Sequence, residues 1–150
     1  RRQRQMCIRD RTHPERRDLA LRFHQQRVEH LFWRFARLGR DFYREEQRWA
    51  EQPFWQARRQ WPDDEPTHAE VDFANLRIEQ APVLRDGLVD LAPVVISPDQ
   101  PLGIWHLNGV ELAPLVSRLR SEPAEQVLAP LSPEQQRQIR SWLLSQGYRP

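Results

Sequence analysis

The chain has 150 residues, a formal net charge of +2 and a mean hydropathy of −0.82. This length suits one ordinary domain, and the apolar runs are far shorter than the ~20 residues that span a bilayer. The sequence therefore excludes a membrane span, and its single cysteine, Cys7, excludes a disulfide within the chain.

Residues 1–11, RRQRQMCIRDR, resemble a translated sequencing adapter. The adapter codons cgt cgg cag cgt cag atg tgt ata aga gac encode the first ten of these residues in order. Such segments are set aside in fold reasoning, and the rest of the chain then holds 18 arginines against 20 acidic residues. The basic character of the whole chain is therefore no sign of nucleic-acid binding. We expect residues 1–11 to make few native contacts, and the natural sequence to start near Thr12 with its own N-terminus missing.

Residues 15–52 carry apolar side chains at an interval of seven, which is typical of one face of an amphipathic helix. No proline interrupts the stretch, and Gly39 is its weakest point. The pattern predicts one long helix, or two helices that meet near Gly39, and a stripe of this length would also support a homodimer. The apolar residues of this pattern are Leu21, Val28, Leu31, Phe35, Leu38, Phe42 and Trp49.

Prolines mark the end of this helical region. Pro53 suits the first position of a short helix over residues 54–61, and two further prolines flank an acidic cluster after it. We interpret residues 12–62 as a helical region and residues 63–70 as an acidic, proline-rich linker.

The next part of the chain is rich in Val, Ile and Leu and predicts strands. Asp86-Gly87 is a hairpin turn signal, and residues 97–101 form a second turn. Pro82 and Pro93 predict edge strands or bulges, because proline cannot donate to a sheet ladder. The strand candidates are residues 76–84, 88–96 and 103–107.

Two helix starts are predicted after the strands. Asn108, followed three residues later by Glu111, has the spacing of a capping box, and the apolar spacing that follows predicts a helix over residues 110–119.

Ser132 and Gln135 form a second such pair around a proline at the first helical position. The last helix then ends where Gly147 takes the position after the C-cap. A short helix over residues 123–128 stands between the two.

The sequence shows no catalytic or metal-binding motif. No HExxH or His/Cys spacing of a zinc site occurs, and no GxSxG, GxxxxGK[ST] or GxGxxG loop is present. The acidic group Asp63, Asp64 and Glu65 offers oxygen ligands for a hard cation, but it lacks the spacing of a calcium loop. We therefore predict no catalytic residue, no metal and no cofactor, and interpret the acidic group as a solvated loop.

Tryptophan is enriched, with six residues. Interleaved with arginine, these side chains could stack on bases, lie at a membrane surface or anchor a protein partner. Packing in a core between the long helix and the sheet is the simpler interpretation. Trp33 lies off the heptad stripe, so its exposure would indicate an interface.

The second half of the chain resembles the PqqD-like domains, which are winged-helix modules that recognise peptides for peptide-modifying enzymes. The resemblance rests on strands followed by helices, on Ile104-Trp-His-Leu-Asn108 leading into a helix, and on the final Leu143-Leu144-Ser-Gln-Gly147-Tyr148. It covers residues 76–148, and the acidic-Gly turn usual after the family's first helix is absent.

The resemblance implies that a leader peptide adds as a strand beside residues 103–107 and packs against the helix of residues 110–119. The peptide-binding residues that it implies are Ile104, Trp105, Leu107, Leu112 and Leu115.

Together these observations predict an α+β protein, with a long N-terminal amphipathic helix or helical hairpin before a winged-helix-like β-β-β-α-α-α unit at residues 71–150. We expect a non-enzymatic region that binds a protein or peptide partner, is cytoplasmic, and forms the C-terminal part of a longer protein. One alternative is an accessory domain of an enzyme, such as a peptide-modifying enzyme or a cupin-type oxygenase, whose active site lies upstream. A nucleic-acid-binding winged helix is a further alternative, which the mixed charges disfavour.

Overall fold

A computed structural model of the chain describes residues 14–149. The expectation for residues 1–11 lies outside these residues. Among these residues the chain divides into two compact units, one formed by residues 14–23 and 70–149 and the other by His24–Ala69. We call them the sheet–helix unit and the helix–loop unit.

The protein is α+β, with one long helix, a three-stranded antiparallel sheet, a small hairpin and several shorter helices. A 3-10 turn precedes the long helix, and a second 3-10 turn precedes the sheet. Within the described residues, no helix is both long and apolar enough to cross a membrane. The elements are α1 (Arg17–Glu45), α2 (Pro53–Gln60), β1 (Arg77–Arg85), β2 (Leu88–Ser97), β3 (Gln100–Ile104), β4 (His106–Leu107), β5 (Val110–Glu111), α3 (Leu112–Leu119), α4 (Ala124–Leu128) and α5 (Pro133–Ser145).

The long helix α1 is continuous through Gly39, so the alternative of two helices is wrong. An added Cβ at Gly39 would meet no atom within 4 Å, so the glycine serves no packing purpose. Glycine within a helix costs about 1 kcal/mol relative to alanine, and the favourable helix formers on either side of Gly39 offset this cost.

The helix–loop unit is held together by arginines of α1 that bind the loop after α2. Arg37 pairs with the Asp63 carboxylate at 2.9 Å, and Arg44 with that of Asp64 at 2.5 Å. Arg40 donates to the backbone carbonyls of Asp63 and Glu65 at 2.5 and 2.8 Å. The loop is therefore anchored to the helix through Asp63 and the backbone, while Asp64, with a side chain that is 94 % exposed, and Glu65 remain in solvent, as predicted for a solvated loop.

The apolar side of α1 is not buried. Phe35 and Phe42 are each 64 % exposed and Trp33 is 46 % exposed, so these side chains belong to no core. Core packing is thus the wrong interpretation for most of the enriched aromatic residues. The exposed ones outside α1 are Trp49, Phe54 and Trp61.

The three strands of the sheet run in the order β1-β2-β3. Asp86 and Gly87 have φ values of 48° and 79°, so they form the two-residue turn that joins β1 to β2 with a tight register. Pro93 pairs with Gln80 of β1, but β3 pairs with β2 only from Val95 onward. The proline therefore stands where β2 is itself an edge, as proline in a strand requires.

A hairpin of β4 and β5 replaces the predicted start of the next helix. Asn108 and Gly109 have φ values of 48° and 77°, so they form the turn of this hairpin rather than a helix cap. Asn-Gly is the strongest short hairpin signal, and here it overrides the spacing of Asn108 and Glu111. Glu111 is instead the N-cap of α3, without a side-chain cap bond, so the helix starts at Leu112 and not at residue 110.

The last helix confirms its predicted ends. The Ser132 side chain accepts from the Gln135 backbone N–H while the Gln135 side chain accepts from the Ser132 N–H, a complete capping box. At the other end, the Gly147 and Tyr148 N–H groups donate to the carbonyls of Leu144 and Leu143, which closes the helix in a Schellman motif.

The main core lies between the sheet and helices α3 to α5. It holds Leu112, Val116 and Ile139 without any exposed surface. A second, smaller cluster packs on the sheet and consists of Val83, Ala92, Val94 and Ile96.

Candidate peptide-binding surface

Strand β3 lies at the edge of the sheet. Its pairing with β2 joins Val95 to Ile104 and Ser97 to Gln100, with an irregular register between them. Among the described residues, no strand pairs with the opposite side of β3. An edge of this kind presents free backbone groups that a further strand can bind.

Gly103 bends the end of this edge strand. Its φ is +74°, and an added Cβ would lie 2.3 Å from a methyl carbon of Val94. Because only glycine accepts both this conformation and this close approach, the bend is fixed by the sequence. The chain then continues through Ile104 into Trp105.

Trp105 is half-buried between β3 and β4. Its ring packs against the smaller core cluster, and its carbonyl accepts from the Leu112 N–H at 2.9 Å, which ties it to the start of α3. The His106 ring meets it edge-on, with centroids 4.2 Å apart. Backbone and ring are thus both held in place.

Charged groups surround the Trp105 ring. The Arg85 guanidinium carbon lies 4.9 Å from the ring centroid, within the range of a cation–π contact. Arg85 also approaches the Glu111 carboxylate at 3.7 Å. The surface therefore presents an aromatic ring, a cation and an anion together, a combination suited to contacts with peptide side chains.

The structure divides the sequence-derived site residues between the two core clusters. Leu112 and Leu115 lie inside the main core at 0 % and 6 % exposure, and Ile104 and Leu107 pack partly buried against it. Trp105 packs instead on the smaller cluster. Leu112 and Leu115 are therefore core side chains in this structure, and their predicted part in peptide binding stays a prediction.

Arg85 and Glu111 are not among the site residues predicted from the sequence. Arg85 precedes the Asp86-Gly87 turn, and the signal for its position was the hairpin register that places it opposite Leu88. Glu111 pairs with His106 across the β4–β5 hairpin, and this pairing, rather than a helix cap, brings it beside Trp105. The turn signal Asn108-Gly109 predicts this hairpin and with it the position of Glu111.

Three polar side chains of α1, Arg37, Arg40 and Asp41, form hydrogen bonds with the loop of their own unit. Arg37 donates hydrogen bonds that lower the pKa of Asp63, and the Thr67 hydroxyl, followed by Arg40, lowers the pKa of Asp41. In the part of the chain that the structure describes, no group of three or more His, Cys, Asp or Glu side chains is placed to hold a metal ion.

The comparisons with known proteins give one informative match. The chain matches no protein-family model and none of the curated proteins. Among solved structures, it is similar to the peptidyl tryptophan dihydroxylase QhpG, described as essential for tryptophylquinone cofactor biogenesis. The TM-score is 0.72 and the sequence identity 58 %, over 91 % of this chain and 32 % of that chain. This chain thus spans about a third of the length of the protein that it matches.

Proposed function

We propose that this chain is the peptide-binding, accessory part of an enzyme that modifies tryptophan within a peptide. The observation that carries the proposal is the 58 % identity over 91 % of the chain to a peptidyl tryptophan dihydroxylase. The match covers 32 % of that protein, and we assign the catalytic chemistry to a region like the larger part that the match leaves uncovered. The residues of this chain then hold the peptide.

The free edge of β3 supports a binding mode for this peptide. A peptide strand added there forms main-chain hydrogen bonds, which give affinity without regard to sequence, while alternate side chains meet the protein surface and give specificity. The bend at Gly103 directs the end of such a strand toward the half-buried ring of Trp105. In this proposal Arg85 and Glu111 select charged or aromatic side chains of the peptide.

The nucleic-acid alternative is weaker for a physical reason. Arg37, Arg40 and Arg44 donate to the acidic loop of their own unit. A phosphate backbone would have to displace these partners before it gained counterion release.

The test is a titration of the 150-residue chain with fluorescein-labelled peptides encoded by the reading frames beside its gene, followed by fluorescence anisotropy. We expect a saturable signal with peptides that contain tryptophan. Leu102 is a partly buried residue of the edge strand β3. Leu102→Lys places a charge there, which opposes strand addition, and we expect it to weaken binding roughly 10-fold or more.

Leu102→Thr is the matched control, because a β-branched polar residue keeps strand propensity without a charge. It should change affinity by less than about 3-fold if charge on the edge is the cause. Absence of binding by every peptide, or equal affinities of the lysine variant and the unmodified chain, would overturn the proposal.

A further inference from the structure

The most prominent feature that the proposed function leaves unused is the apolar side of α1 within the helix–loop unit. Five side chains at helical spacing form it, and we call them the apolar stripe. They run along about 21 Å of helix at about 1.5 Å per residue. The stripe consists of Val28, Leu31, Phe35, Leu38 and Phe42, with exposures of 52, 47, 64, 39 and 64 %.

The unit's own loop cannot cover the stripe. At about 100° per residue, Phe35 and Phe42 lie about 160° and 140° around α1 from Arg37, which holds the acidic loop. The loop is thus fixed to the opposite side of the helix. A contiguous apolar patch next to a polar face is typical of a protein–protein interface, and phenylalanine is enriched in the buried centres of such interfaces.

A second copy of the chain is a poor partner for this stripe. With Val28 and Phe35 at the first core position of each heptad, the second core positions are His24, Leu31, Leu38 and Glu45. Only the middle two are apolar, so the seam is shorter than the three to four heptads that indicate a coiled coil. Two successive phenylalanines at the first position also depart from the branched aliphatic residues that favour dimers.

The extent of the match to the dihydroxylase indicates a better partner for the stripe than a second copy of the chain. The match covers 91 % of this chain, and the small remainder is shorter than the segment from Val28 to Phe42, so the match includes at least part of the stripe. It covers only 32 % of the similar dihydroxylase. That protein therefore carries this helical segment together with a larger body of protein that this chain does not contain.

We propose that the apolar stripe docks onto the catalytic body of a dihydroxylase-like protein, the part that corresponds to the region outside the match. This inference rests on the proposed function, because that function supplies the body. The stripe then fixes the position of the peptide-binding part relative to the catalytic part. The body must offer a complementary apolar groove that receives Phe35 and Phe42.

The experiment compares one double substitution in two contexts. Phe35→Glu/Phe42→Glu is introduced into the 150-residue chain and into a chimera in which this chain replaces the matching third of the similar dihydroxylase. The two side chains are exposed in the chain alone, so we expect its Tm to change by less than about 1 °C. In the chimera, where the same side chains are buried, we expect Tm to fall by about 5 °C or more.

Leu144→Glu is the matched control, because Leu144 is an apolar helix residue with 67 % exposure in the other unit. It should leave Tm within about 1 °C in both contexts. Equal shifts of the double variant in both contexts would overturn the proposal, as would equal shifts by Leu144→Glu and the double variant in the chimera. A dimer of the isolated chain that the double variant dissociates would assign the stripe to a second copy and overturn it as well.

A second measurement tests the docking if the chimera does not fold. Hydroxyl-radical footprinting of the similar dihydroxylase should show protection in the helical segment that corresponds to residues 28–42, and full oxidation of that segment would contradict the docking. Peptide titration of the isolated chain separates the two proposals. If the isolated chain binds no peptide, but the double variant lowers Tm only in the chimera, the proposed function alone is rejected. If the isolated chain binds peptide, but the double variant shows no such difference in Tm, the docking alone is rejected.

Discussion

The two units of this chain are stabilised by opposite means. In the sheet–helix unit, aliphatic side chains such as Leu112 and Ile139 lose all contact with solvent. In the helix–loop unit, the one buried residue among residues 24–69 is Arg40, and the large apolar side chains of the long helix are exposed. A strong amphipathic pattern therefore does not by itself make a core. A unit whose apolar face is left open requires another surface to cover it.

The largest expected effect comes from opening the aliphatic core. Leu112→Ala removes a side chain with 0 % exposure, and we expect it to lower the free energy of unfolding of the sheet–helix unit by about 2–5 kcal/mol. Urea titration followed by circular dichroism measures this loss. Leu144→Ala, at an exposed leucine, is the control and should cost less than about 0.5 kcal/mol.

A comparably large loss is expected when the buried arginine of the other unit is removed. Arg40→Ala removes the guanidinium that donates to the carbonyls of Asp63 and Glu65, and it leaves the Asp41 carboxylate with the Thr67 hydroxyl but without Arg40. We expect it to destabilise the helix–loop unit by about 2–4 kcal/mol, measured as faster hydrogen exchange of the loop amides.

Arg40→Lys sharpens this test. Lysine keeps the charge but lacks the planar fork with which Arg40 reaches acceptors on Asp41, Asp63 and Glu65 at once, so it should restore less than half of the lost protection. Full protection in the lysine variant would show that charge alone holds the loop.

A smaller effect is expected at the start of α5. Ser132→Ala removes the side-chain half of the capping box with Gln135, at a cost of about 1 kcal/mol. The loss should appear in the urea transition of the sheet–helix unit, while Ser132→Asp, which restores an acceptor, should recover most of it.

The smallest expected effect is a loss of loop stability in the helix–loop unit at low pH. Hydrogen bonds from Arg37 lower the pKa of Asp63 below its ordinary value of 3.8. A lowered folded-state pKa means that the ionised carboxylate stabilises the folded loop above pH 3.8 and that this stabilisation is lost as the pH falls further. We expect the protection of the loop amides in the helix–loop unit to decline below about pH 4, and Asp63→Asn to flatten this part of the profile.

Local signals in the sequence predicted a large share of the fold. The capping box at Ser132, the glycine after the last helix and the Asp86-Gly87 turn act between near neighbours in the chain, so their outcome depends little on the rest of the protein. Asn108-Gly109 is an equally local signal, but it supports two interpretations. The predicted helix cap at Asn108 is wrong, and the two residues form a hairpin turn. The surface around Trp105 was harder to predict, because Arg85 and Glu111 reach it through strand pairing rather than through sequence proximity.

Patterns among neighbouring residues were enough to predict the α+β class, the presence of a long helix and most ends of the shorter helices, since periodicity and caps are local properties. The long helix itself ends at Glu45, short of the predicted region of residues 15–52. Only the tertiary structure decided which apolar faces are buried. It placed Leu112 and Leu115 inside a core, held the acidic loop against Arg40, and left Phe35 and Phe42 in solvent. Burial depends on which surfaces meet in space, and an amphipathic pattern states that a helix has an apolar side without stating what covers it.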